Sequence, residues 1–85
     1  MGDPALEFCF RGGRVGFFQT AEFPREPGVF PYMPYRSGPH YDMQEALRES
    51  GYAECSGLTK NGPVRFRVTR CPEYGRLEIC DFKPG

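Results

Sequence analysis

The chain has no tryptophan, a single histidine, only two lysines and no net charge. Its apolar runs stop at two or three residues, and its four cysteines include no CxxC pair. Without tryptophan, the core volume of an 85-residue chain must come largely from its eight phenylalanines, with Phe8, Phe10, Phe17 and Phe66 the first candidates. The short apolar runs fall far below the roughly twenty residues of a membrane-spanning helix, so no membrane partner is expected. Eleven basic residues balance eleven acidic ones, which removes the diffuse cationic field of a non-specific nucleic-acid binder. Scattered cysteines and one histidine lack the usual zinc spacing, so neither a metal nor another cofactor is expected. Gly12-Gly13 are the only adjacent glycines, and a hairpin turn accounts for them better than a phosphate loop does.

Cys9, Cys55, Cys71 and Cys80 show no repeating interval. An even count in a short chain is a disulfide framework only in a secretory setting. The opening MGDPALEF has neither a basic n-region nor an apolar h-region. The expectation is therefore four reduced thiols in a cytoplasmic protein. Two disulfides are the alternative.

What the chain does have is concentrated in Phe23–Tyr41, FPREPGVFPYMPYRSGPHY. These nineteen residues hold five of the nine prolines and five of the thirteen aromatics. Proline fixes φ, donates no backbone hydrogen bond and pushes the residue before it toward extended geometry. The stretch is therefore expected to be neither a helix nor a central strand. Disordered segments are poor in aromatics, whereas this one is rich in them. It reads as an ordered, extended loop lying on a small domain.

The flanking segments have plainer periods. Leu6–Gln19 alternates as a β-hairpin, with Gly12-Gly13 as its turn and Phe8 and Phe10 facing Phe17 and Val15. After the loop, Ser37 and Pro39 suit a helix start, and Gly51 suits its end. Between them Met43, Ala46 and Leu47 lie on one face, with His40 a turn earlier. Tyr52–Leu58 reads as a weaker strand, and Asn61-Gly62 as a turn. Val64–Arg70 then alternates, with Val64, Phe66 and Val68 inward. Gly75–Phe82 is the last strand, in a register that pairs Val68 with Leu77, Phe66 with Ile79 and Arg67 with Glu78. The result is a single α+β domain over residues 1–85, ordered β-β-loop-α-β-β-β. One short helix covers a mostly antiparallel five-stranded sheet or partly rolled barrel.

Three functional readings follow. The first is a non-enzymatic binding module for a protein or peptide, using the Pro/Tyr-rich loop. Pro31-Tyr32-Met33-Pro34-Tyr35 has PxxP spacing, which in a polyproline helix would align Tyr32 and Tyr35 on one edge. Tyr32, Tyr35 and Arg36 are the candidate contacts, with His40 as a polar member. The competing structural reading is that these rings roof the core. The second reading is RNA or single-stranded nucleic-acid binding through Arg65, Arg67 and Arg76, with Tyr74 as a stacking ring. Glu78 among these arginines and the zero net charge weigh against it. The third is a small enzyme, for which a Cys–His pair would be the obvious nucleophilic arrangement. No cysteine lies near His40 in the chain, so no catalytic residue is assigned. The sequence names no partner, biological process or oligomeric state.

Overall fold

Three short turns, each with a glycine at positive φ, set the antiparallel hairpins. The computed structural model describes residues 6–36 and 38–84. The strands are β1 (Glu7–Phe10), β2 (Gly13–Phe18), β3 (Gly28–Pro34), β4 (Ala53–Thr59), β5 (Gly62–Glu73) and β6 (Arg76–Pro84). One helix, α1 (His40–Ser50), joins β3 to β4. The strands close into a barrel of order β1-β2-β3-β6-β5-β4, with every ladder antiparallel. This corrects the expected five-stranded sheet. It is the closed form of the rolled barrel, with a sixth strand inside the proline-rich segment.

The first hairpin turns one residue earlier than expected. Arg11 (φ 51°) and Gly12 (φ 83°) form the turn, so Phe10 pairs with Gly13 rather than Val15. Two successive positive φ angles match the twist of a tight hairpin, and here an arginine accepts the first. A bulge at Val15 follows, between the pairs Cys9–Arg14 and Phe8–Gly16. The extra residue resets the alternation, so Phe18 enters the core and Phe17 turns outward. Phe17 was expected inside. Gly16 is needed at its position because a Cβ there would collide with the Met33 carbonyl across the β2–β3 ladder.

Strand β3 is a central strand despite Pro31 and Pro34. Each proline sits where one ladder has stopped. The ladder to β6 runs from Gly28 to Pro31, and the ladder to β2 runs from Tyr32 to Pro34. Pro34 therefore has no β6 neighbour to donate to, and Pro31 lies one residue past the β2 ladder. The Pro31 carbonyl still accepts from the Gln19 amide at 3.0 Å, and the Tyr32 amide donates to the Gly75 carbonyl at 2.7 Å. Within residues 23–41, Gly28–Pro34 is strand and the last two residues already belong to α1, so the expected continuous loop is broken up.

The last hairpin also shifts. Its turn is Tyr74-Gly75, with Pro72 inside β5, and irregularities put Val68 opposite Ile79 and Phe66 opposite Phe82. Arg67 faces Asp81, and Glu78 faces Arg70. The proposed Arg67–Glu78 pair does not form. Inward and outward assignments survive because each bulge restores the alternation: Phe66, Val68, Leu77 and Ile79 are all buried.

Helix α1 covers one end of the barrel with His40 and Met43 buried, and it ends at Gly51, whose amide donates to the Leu47 carbonyl. The expected cap Ser37 lies outside the described residues. The other end is closed by Phe23 from the β2–β3 connection. Its ring packs edge-on against Phe18 at 5.1 Å and Phe66 at 5.8 Å, over Gly57, where a Cβ would collide with it. Phe66 also meets Phe8 and Phe18, both at 5.8 Å, so it joins both sides of the core. Phe66→Ala should cost about 3–5 kcal/mol, a large share of a small domain's stability. Arg65→Ala, on the outward face, should cost under ~1 kcal/mol. Chemical denaturation of the two variants checks this, and similar midpoints would contradict the inward placement of Phe66.

Candidate functional site

Alternation along β3 divides the proposed contact residues between two environments. Tyr32 points inward and is 2% exposed. Its hydroxyl lies 2.7 Å from Nε2 of His40, which opens α1 and is 5% exposed. Tyr32 and Tyr35 therefore do not share an edge, because a strand and not a polyproline helix carries them. Tyr32 and His40 fasten the helix to the barrel. Burial raises the Tyr32 pKa, with further contributions from the facing Cys71 thiol. Burial lowers that of His40, which favours its neutral ring.

This pairing predicts acid sensitivity. His40 binds a proton less readily in the folded chain than at its ordinary 6.5, so below that pH the unfolded chain takes up more protons. Stability from this group is complete above about pH 6.5 and declines as pH falls toward the depressed native value. Thermal melts between pH 7.5 and 5 should show the decline, and His40→Gln should flatten it. An equally steep profile in the variant would assign the acid sensitivity to other groups.

Tyr35 and Arg36 lie on the outside. The Tyr35 hydroxyl donates to Glu7 Oε2 at 2.6 Å, and this bond is the main reason its pKa is raised. The Tyr35 ring packs 5.8 Å from Phe17. Phe17 pairs with Met33 across the ladder, and Val29 follows on the same face of β3. Val29 and Met33 are 46% and 45% exposed. The outward side of β2 and β3 is thus an apolar strip formed by Phe17, Val29, Met33 and Tyr35. Periodicity alone misses Phe17, Val29 and Met33 as outward residues, because locating them requires the Val15 bulge and the strand character of residues 28–34.

Of the arginine candidates, Arg65 and Arg67 share one pocket with Lys83, Glu54 and Asp81, while Arg76 and Tyr74 lie apart from it. Arg67 donates to Glu54 at 2.9 Å and stacks 4.5 Å over Tyr52, while its Nε is buried without a partner among the described residues. Arg76 pairs with Glu73 at 2.7 Å beside the exposed Tyr74, and Arg70 pairs with Glu78 at 3.5 Å. Arg65 faces Lys83 across β5–β6. Arg65 and the Glu73–Arg76 tip are eight strand positions apart, roughly 25 Å. The outward face of β4, β5 and β6 is therefore a mixed, largely paired ionic surface. A membrane barrel has the opposite arrangement, with an apolar outer band. No described helix is long and apolar enough to cross a membrane.

All four thiols are free. Burial raises the pKa of Cys71, and that of Cys55 more strongly, so neither is held as a reactive thiolate at neutral pH. Cys55 Sγ lies 3.8 Å from Met43 Sδ in the core. Native alkylation followed by intact mass should label exposed Cys80 first and Cys55 only on unfolding. A mass deficit of about two or four hydrogens before reduction would instead indicate disulfides. Among the described residues, no cluster of histidine, cysteine and carboxylates is placed to hold a metal. No family model, curated protein or solved structure matches the chain.

Proposed function

We propose that this chain is a small non-enzymatic binding module that takes a protein or peptide on the outward face of β2 and β3. The observation that carries this reading is the apolar strip of exposed Val29 and Met33 beside half-buried Phe17, on a barrel whose remaining outward strands carry mainly charged and polar groups apart from the exposed Leu58 of β4. Exposed apolar groups gathered on one face, with charged groups at the rim, are the usual anatomy of an interaction surface. Arg14, Arg36 and Arg76 lie around its borders. Of the loop residues first singled out, Tyr35 and Arg36 belong to this surface, while Tyr32 and His40 support it from within.

Closure of the barrel bears on the binding mode. The ladders to both neighbours occupy the β3 backbone, so a partner cannot simply add a strand there as in β-augmentation. Binding on this face relies on side chains. Nucleic-acid binding is less favoured because Arg67 and Arg76 are already paired with carboxylates.

The test is a pair of double variants used as bait in lysate of the source cells. Val29→Asp/Met33→Asp should remain folded at a cost of about 2 kcal/mol, from strand propensity and the Glu78 carboxylate that faces position 29, yet lose the captured partner. Arg65→Ala/Arg67→Ala should retain it. Equal capture by the parent and the Val29→Asp/Met33→Asp variant would refute the assignment of this face.

A further inference from the structure

The apolar strip does not end at Tyr35. Beyond it lies an open cleft of about 460 Å³ lined by Gly13, Arg14, Tyr35, Arg36, Gly38 and Pro39. Two arginines line this cleft, and no carboxylate residue does. Arg36 is exposed and makes no ion pair among the described residues. Arg14 reaches Glu7 at 3.6 Å, but its side chain remains 71% exposed and that carboxylate already accepts the Tyr35 hydroxyl. The cleft thus keeps a positive balance, and Tyr35 joins it directly to the strip by packing on Phe17.

Resting on the binding-module reading above, we propose that the occupant is an extended peptide segment with apolar side chains at one end and an acidic group at the other. The apolar side chains lie over Val29, Met33 and Phe17. The carboxylate sits between Arg14 and Arg36, where the guanidinium forks offer paired N–H donors. From Val29 to Tyr35 the strand advances roughly 20 Å, the length of about six extended residues. The neighbouring chemistry favours a peptide over a nucleic acid. Val29 and Met33 are aliphatic and offer no stacking face, and Phe17 and Tyr35 pack on each other at a 49° tilt. One unpaired and one partly paired cation are also few for tracking a phosphate backbone.

Fluorescence anisotropy with N-labelled, C-amidated hexapeptides tests the assignment. The probes are Leu-Ser-Leu-Ser-Asp-Asp, its Asn-Asn and Lys-Lys counterparts, and the same three with the charged pair at the other end. One acidic probe should bind about tenfold more tightly than its Asn counterpart, corresponding to two exposed ion pairs of modest strength. Arg14→Ala/Arg36→Ala should erase that preference while leaving the Asn probe unchanged, and Met33→Asp should weaken every probe. Melting temperatures close to the parent's confirm that both variants fold. Equal affinity for the acidic, neutral and basic probes would remove the acidic end and leave the apolar face standing. Failure of every probe to saturate, while lysate capture still depends on Val29 and Met33, would overturn the short-peptide occupant alone. Tighter binding of a single-stranded RNA oligonucleotide at the same arginines would transfer the cleft to nucleic acid and overturn the proposal. Lysate capture indifferent to Val29 and Met33 would sink the underlying reading instead.

Discussion

The barrel closes because β3 pairs with one neighbour through its first half and with the other through its second. Residues 28–31 face β6 and residues 32–34 face β2. This staggered pairing lets a segment carrying two prolines act as a central strand, since neither ring nitrogen falls where both ladders need a donor. Without β3, β2 and β6 would each present an unpaired edge, and Tyr32 would have no place in the core. The Tyr32–His40 hydrogen bond that seats α1 depends on the same strand. Closure, helix docking and the outward apolar strip all follow from one local compromise between proline chemistry and sheet pairing.

Much of the fold was legible in the sequence, and the gaps have physical causes. The alternation of Phe8 and Phe10, the inward set Val64, Phe66 and Val68, the helix around Met43 and its end at Gly51 all correspond to residues on a single unbroken period. Phe17 and Phe18 were exchanged because a one-residue bulge leaves no mark in composition, while a shift of one position reverses every side chain after it. The β5–β6 register was missed for the same reason. Strand β3 was hidden because a proline is judged against a strand paired along both full edges, and this one is paired on each side only in part. Of the candidate site, Tyr35 and Arg36 could be read from their neighbours. Val29, Met33 and Phe17 could not, since their outward direction depends on the tertiary pairing.

The two sides of the barrel solve opposite problems. On β4, β5 and β6, Arg67, Arg70 and Arg76 meet glutamates on neighbouring strands, while Arg65 faces Lys83. On β3 the outward Val29 and Met33 remain nearly half exposed, and nothing in the described chain covers them. The interior repeats the economy of a small domain: phenylalanine rings at 4.8 to 6.1 Å from one another take the place of the absent tryptophan.

Closure also governs the order in which the chain can assemble. The hairpins β1–β2, β4–β5 and β5–β6 and helix α1 use neighbours close in sequence, but the seams β1–β4 and β3–β6 join residues about fifty positions apart. Bringing such distant partners together carries a loop-closure cost before their contacts form, so these seams set the pace of folding. During synthesis β3 leaves the ribosome long before β6, and until β6 arrives half of its backbone stays unpaired. The apolar face of β2 and β3 is held in its native register only after the C-terminal strand has been made. A chain cut before β6 would therefore lose that face as well as an edge of the sheet.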